Sequence, residues 1–75
     1  MNITQRVLMY CAKAVEFDVP MSSDAEIGET IRATFNQVSQ SLSRLKAQGR
    51  VKIDADRRVL SVRLTQSDKE AFHWA

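Results

Sequence analysis

Between Thr34 and Arg44 the chain sets out hydrogen-bonding side chains at helical spacing: Thr34, Asn36, Gln37, Ser39, Gln40, Ser43 and Arg44. At 100° per residue, Asn36, Gln40, Ser43 and Ala47 share one face, with Gln37 and Arg44 beside them. That face holds no acid and lacks the Glu–Lys ladder of a solvated helix. Amides pair with adenine, guanidinium with guanine and hydroxyls with several bases, so these types suit the edges exposed in a major groove. The bland alternative is a neutral polar surface with no target.

Charge distribution argues against the bland alternative. The net charge is only +2, but it is uneven. Residues 1–31 carry a net of −3, and residues 65–75 a net of −1. Residues 32–63, with Arg32, Arg44, Lys46, Arg50, Lys52, Arg57, Arg58 and Arg63 against Asp54 and Asp56, carry a net of +6. A basic block between acidic flanks is the footprint of a polyanion-binding face. Lys52, Arg57 and Arg58 are the expected phosphate contacts, which orient a protein on a duplex without reading its sequence.

Other chemistry has little to stand on. There is no Gly-rich phosphate loop, nucleophile elbow or metal-ligand spacing. Cys11 is the sole cysteine, so neither an internal disulfide nor a Cys-His zinc cluster can form. It falls on an apolar stripe and reads as a core thiol. His73 stands alone. No catalytic residue, cofactor, metal or small-molecule ligand is expected. With 75 residues, 44% hydrophobic and 27% charged, the expectation is one ordered domain. No apolar run could span a bilayer and no signal-peptide pattern opens the chain, so a cytoplasmic location is expected.

Three helices and a hairpin must position these residues. The first helix is expected over 4–16, capped by Thr4, with Ile3, Val7, Leu8, Cys11, Ala14 and Val15 inward and Ile3 stapled to Leu8. Phe17-Asp18-Val19-Pro20 ends it, because proline disfavours helix in the residue before it; Phe17 and Val19 suggest a short extended segment. The second helix, 24–31, has a Ser23–Glu26 capping box, Ile27 and Ile31 inward, and Gly28 where another element can approach closely. The third, 35–48, has a Thr34–Gln37 box, an apolar stripe of Phe35, Val38, Leu42 and Leu45, and Gly49 as a left-handed terminator. The short connection between the second and third helices suggests a helix-turn-helix. Alternating strands over 51–54 and 59–64 flank a turn at Asp54–Arg57. Thr65 and Asp68 are set to cap a last short helix, 66–74. Phe72 and Trp74 need cover, either on the first helix or in a dimer contact.

The run Asn36-Gln37-Val38-Ser39-Gln40-Ser41-Leu42-Ser43-Arg44-Leu45-Lys46-Ala47-Gln48-Gly49-Arg50-Val51 resembles the recognition helix of bacterial winged-helix regulators of the MarR and GntR types. Their Val-Ser, Leu-x-x-Leu and Gly-x-Val steps fall on Val38-Ser39, Leu42 and Leu45, and Gly49 and Val51. Their basic hairpin and Leu-Thr step fall on Arg57-Arg58 and Leu64-Thr65. The resemblance covers about Ser22 to Thr65 and is specific to the superfamily. It implies an α+β winged helix, with the third helix in the major groove and the hairpin on the backbone or minor groove. The hairpin tip departs from the pattern: it lacks glycine, and Asp54 and Asp56 stand beside the arginines, which favours a loose phosphate contact over deep insertion.

The expected function is therefore sequence-specific binding of double-stranded DNA. The role would be a small transcriptional regulator, or an accessory factor of the kind phages and plasmids encode, such as an excisionase. One small module reads few base pairs, so a homodimer or partner protein is expected to supply the remaining specificity. The alternative is a winged-helix protein-interaction module, for which the recognition face would more often be apolar. RNA binding is a weaker third choice, because few exposed aromatics are available for stacking.

Overall fold

A computed structural model describes residues 1–72. The elements run α1 (Ile3–Phe17), α2 (Asp24–Ile31), α3 (Phe35–Ala47), β1 (Val51–Ile53), β2 (Val59–Val62) and α4 (Gln66–Ala71). Among the described residues this is an α+β fold of four helices and one antiparallel two-stranded sheet, an arrangement compatible with a winged helix.

Local chemistry accounts for most boundaries. Asn2, not Thr4, caps α1: its side chain accepts the Gln5 amide at 2.8 Å, and the Gln5 side chain accepts the Asn2 amide. Asparagine is at least as good an N-cap as threonine, and Thr4 Oγ1 instead lies 3.5 Å from Ser41 Oγ on α3. Ile3 is thus already helical, which removes the expected staple. At the other end α1 runs through Phe17 and stops at Asp18, whose φ of 54° is left-handed. The Val19 amide then reaches back to the Ala14 carbonyl. This cap ends the helix before proline acts, and residues 17–19 form no strand.

The second helix keeps its expected limits, although Ser23 and Glu26 form only half of the reciprocal box, with the Ser23 side chain accepting the Glu26 amide. Gly28 is required by the turn into α3. A Cβ at that position would lie 2.5 Å from the Ala33 carbonyl oxygen, because the Ala33 amide donates to the Gly28 carbonyl at 2.8 Å. The third helix has the full Thr34–Gln37 box, and Gly49 follows it at φ 70°. Its expected inward stripe is altered at one end: Phe35 is 57% exposed, while Ser41 is buried. Phe35 occupies the first turn of α3, and the buried stripe begins with Val38.

The core is built from Val7, Leu8 and Cys11 of α1, Ile27 of α2, Val38, Leu42 and Leu45 of α3, with Val51 and Val59 from the hairpin. Each such aliphatic side chain contributes about 1.5–3 kcal/mol on full burial. Val15, expected inward, is exposed. Phe72 closes the core from the end of α4, which answers its need for cover; Trp74 and the last part of the expected 66–74 helix lie outside the described residues. Thr65 and Asp68 cap α4 as a full box, and Arg50 pairs with the Asp68 carboxylate. Partial burial opposes ionisation of Asp68, but its bonds from Thr65 and the Arg50 charge outweigh burial and lower its pKa.

Strand pairing matches Val51 with Val62, Lys52 with Ser61 and Ile53 with Val59. The shift leaves Leu60 as an extra, exposed residue, a bulge that bends the hairpin. Both strands are shorter than expected, although the Arg63 amide still donates to the Arg50 carbonyl. The tip is a three-residue loop. Asp54 and Arg58 pair across its base, the Arg57 amide donates to the Asp54 carbonyl, and Asp54 Oδ1 accepts the amides of Asp56 and Arg58. Such loops need a left-handed residue in their last position, usually glycine. Here Arg57 fills it at φ 62°.

Candidate nucleic-acid interface

Asn36, Gln40, Ser43 and Arg44 are all exposed along α3, and no hydrogen bond or ion pair among the described residues uses their side chains. Ala47 completes the face. The helix holds no acid, and its first turn has none. Its exposed surface is therefore a row of unspent donors and acceptors, at the pitch of a helix packed from behind by α1 and α2.

The other expected contact residues on α3 have internal roles. Thr34 Oγ1 accepts the Gln37 amide at 3.1 Å, and Gln37 Oε1 accepts the Thr34 amide at 2.9 Å. Both remain exposed, and the Gln37 amide nitrogen has no partner among these bonds. Ser39 is half-buried, and its hydroxyl donates to Asp24 Oδ2 at 2.7 Å.

The basic block divides in two. Arg57 donates through Nε and Nη2 to the Ser22 carbonyl, and through Nη2 to Asp24 Oδ1 at 2.8 Å. Its own carbonyl accepts the Met21 amide at 2.9 Å. Arg58 donates to the carbonyl and carboxylate of Asp18 at the C-terminus of α1, where a cation also meets the negative end of the helix dipole. Arg63 donates to the Gln48 carbonyl behind α3, and Arg50 binds Asp68. Arg6 does the same for α2 through the Ile31 carbonyl. So Arg50, Arg57, Arg58 and Arg63 hold the fold together. Arg57 and Arg58, expected on phosphate, are correspondingly committed to Ser22, Asp24 and Asp18. Arg32, Arg44, Lys46 and Lys52 are exposed or nearly so and form no ion pair among the described residues.

Arg57 does more than close the hairpin. Asp24, the first residue of α2, takes Arg57 on one carboxylate oxygen and Ser39 of α3 on the other. One carboxylate thus ties the hairpin tip to both α2 and α3. Partial burial opposes its ionisation, but the bonds from Ser39 and Arg57 outweigh burial and lower its pKa, with help from the Arg57 and Lys46 charges. Beside this bridge, between α3 and the hairpin, lies a groove of about 310 Å³ lined also by Met21, Leu42, Ser43, Lys46, Ile53 and Asp54.

Lys46 is an exposed cation lining that groove, and residue type alone does not single it out from the basic block. Its position on α3 carried the signal: it stands one turn after Ser43, on the flank opposite Arg44. Phe35, read as core, joins the exposed surface at the start of α3. Searches of protein-family models, of curated proteins and of solved structures each found no match to this chain. No described group of three or more His, Cys, Asp or Glu side chains could hold a metal ion, and no described helix is long and apolar enough to cross a membrane.

Proposed function

We propose that the chain is a winged-helix protein that binds double-stranded DNA, with α3 in the major groove. One observation carries the reading: Asn36, Gln40, Ser43 and Arg44 stand exposed on one acid-free face of α3 with their hydrogen-bonding groups unspent. A solvated helix has no need of such a row, whereas base edges accept these groups directly. Arg44 and Lys46, on the two flanks of that face, fit the phosphates on either side of the groove. Arg32 sits at the turn before α3, and Lys52 on the hairpin extends the positive surface. Phe35 and Ala47 give apolar contact of the kind thymine methyl groups offer. Arg57 and Arg58 hold the wing in place rather than touch DNA. A transcriptional regulator or a small accessory factor fits such a module.

Selection from a random duplex pool tests base reading. Wild type should enrich a defined site. Gln40→Ala should relax the preference at one or two positions, costing about 1–3 kcal/mol on that site if the contact is bidentate, whereas Arg44→Ala should weaken the enriched site and random duplex alike. Equal loss on the enriched site and on random duplex for Gln40→Ala would limit Gln40 to phosphate.

Protein docking draws on a different feature, the exposure of Phe35 beside Thr34. If docking is the role, Phe35→Ser abolishes capture of a partner, and the pool selection enriches nothing.

A further inference from the structure

Two of the side chains left unspent on the outer face of α3 are carboxamides. Asn36 and Gln40 are both exposed. They stand one turn apart, within about 40° of each other around the helix axis. A carboxamide holds a donor and an acceptor side by side, the pattern adenine shows in the major groove through its N6 amino group and N7. Guanine offers two acceptors there and calls for a cation instead. The cations of α3 are Arg44 and Lys46, on the flanks where phosphates pass. The centre of the face, with Asn36, Gln40, Ser43 and Ala47, holds none.

Phe35 supplies a second cue. It directly precedes Asn36 and is 57% exposed at the first position of α3. Helix side chains lean toward the N-terminus, so Phe35 and Asn36 project over the end of α3 that meets base edges when such a helix lies in a major groove. The apolar feature of that groove is the thymine methyl group, which belongs to the same base pair as adenine. The carboxamides and the phenyl ring therefore fit one kind of base pair. Phe35 and Gln40 are about 7.5 Å apart along the helix axis, little more than two base-pair steps of about 3.4 Å.

We infer that α3 reads a short A·T tract of about three base pairs, with Asn36 and Gln40 each on an adenine and Phe35 against a thymine methyl group. The inference rests on the DNA-binding reading and names the bases that reading leaves open. Recognition runs through major-groove atoms, not through the narrow minor groove that A·T tracts also present.

The probe is the duplex that wild type enriches from a random pool, remade with uracil for thymine or 7-deazaadenine for adenine. Both analogues keep Watson–Crick pairing; the first lacks the methyl group and the second lacks N7. Wild type should enrich a site containing the A·T tract. Uracil at one position should weaken wild type about fourfold, the worth of one buried methyl group, and leave Phe35→Ala unaffected. 7-Deazaadenine at another should weaken wild type at least about fivefold and leave Gln40→Ala unaffected. All three residues are exposed, so the variants should keep the wild-type far-ultraviolet spectrum. A G·C pair at the position that Gln40→Ala relaxes overturns the inference and leaves DNA binding standing. So does an A·T site on which wild type binds modified and unmodified duplexes equally, since the preference then comes from minor-groove shape. A pool that enriches nothing overturns base reading by α3 altogether, and this inference with it.

Discussion

Arg57 occupies a conformation that costs a non-glycine residue about 1 kcal/mol or more, and three bonds from its guanidinium offset that cost. Two substitutions separate the terms. Arg57→Ala keeps the backbone strain and loses the bonds, so urea unfolding should show a loss of about 1–2 kcal/mol; the pair is partly exposed, which limits the figure. Arg57→Gly loses the same bonds but relieves the strain, and should lose less. Equal losses would mean that the left-handed position carries no strain. Asp24 and Asp68 make stability depend on acid. Both pKa values lie lower in the folded chain than in the unfolded one. Their contribution is therefore complete above the unfolded carboxylate value near 4 and disappears as pH falls through the lower folded values. Urea midpoints should fall between pH 5 and pH 2.5, and Asp24→Asn should flatten part of that fall. Cys11 behaves oppositely: burial, opposed only in part by the Arg57 charge, pushes its thiol up to about 12. A maleimide at pH 8 should leave native Cys11 unmodified and label it in urea. Thr34, Gln37 and Gly49 could be placed from residue type because caps are local. Arg57, Arg58 and Ser39 could not, because their partners lie 15 to 40 residues away.

At the scale of elements, the turn between α2 and α3 is set by a single close approach. Gly28→Ala would push a methyl group into the Ala33 carbonyl, backbone that cannot swing aside. Overpacking of this kind costs about 1–3 kcal/mol, and thermal unfolding should show it. A neutral result would mean that the turn relaxes freely. Helix limits were nearly all legible, since apolar period and caps agree within each helix. The errors have one origin. Asn2 outcompeted Thr4, and Asp18 stopped α1 ahead of Pro20, because two adequate local signals stood within three residues and tertiary contacts chose between them. The hairpin was legible as two strands and a turn, but its bulge at Leu60 was not. A bulge shows in the register between strands, and alternation within one strand does not reveal it.

For the whole molecule, the lesson concerns charge. A net of +6 over residues 32–63 suggested a polyanion surface, yet half of the eight cations there serve internal acceptors. Composition counts charges without regard to partner, so it overstated the hairpin and understated Lys46. What survives is a smaller surface: Arg44 and Lys46 on α3, with Arg32 and Lys52 at its margins. The most direct test is duplex binding measured against salt for wild type and two double variants. Wild type should bind duplex DNA at low salt, with affinity falling linearly on a log–log plot. Arg44→Ala with Lys46→Ala should flatten the slope by up to about 1.8, two phosphates at about 0.9 each. Arg57→Ala with Arg58→Ala should lower stability and leave the slope of the folded fraction unchanged. No duplex binding at low salt, or a slope lost through Arg57 and Arg58 instead of Arg44 and Lys46, would contradict the placement of α3 in the major groove.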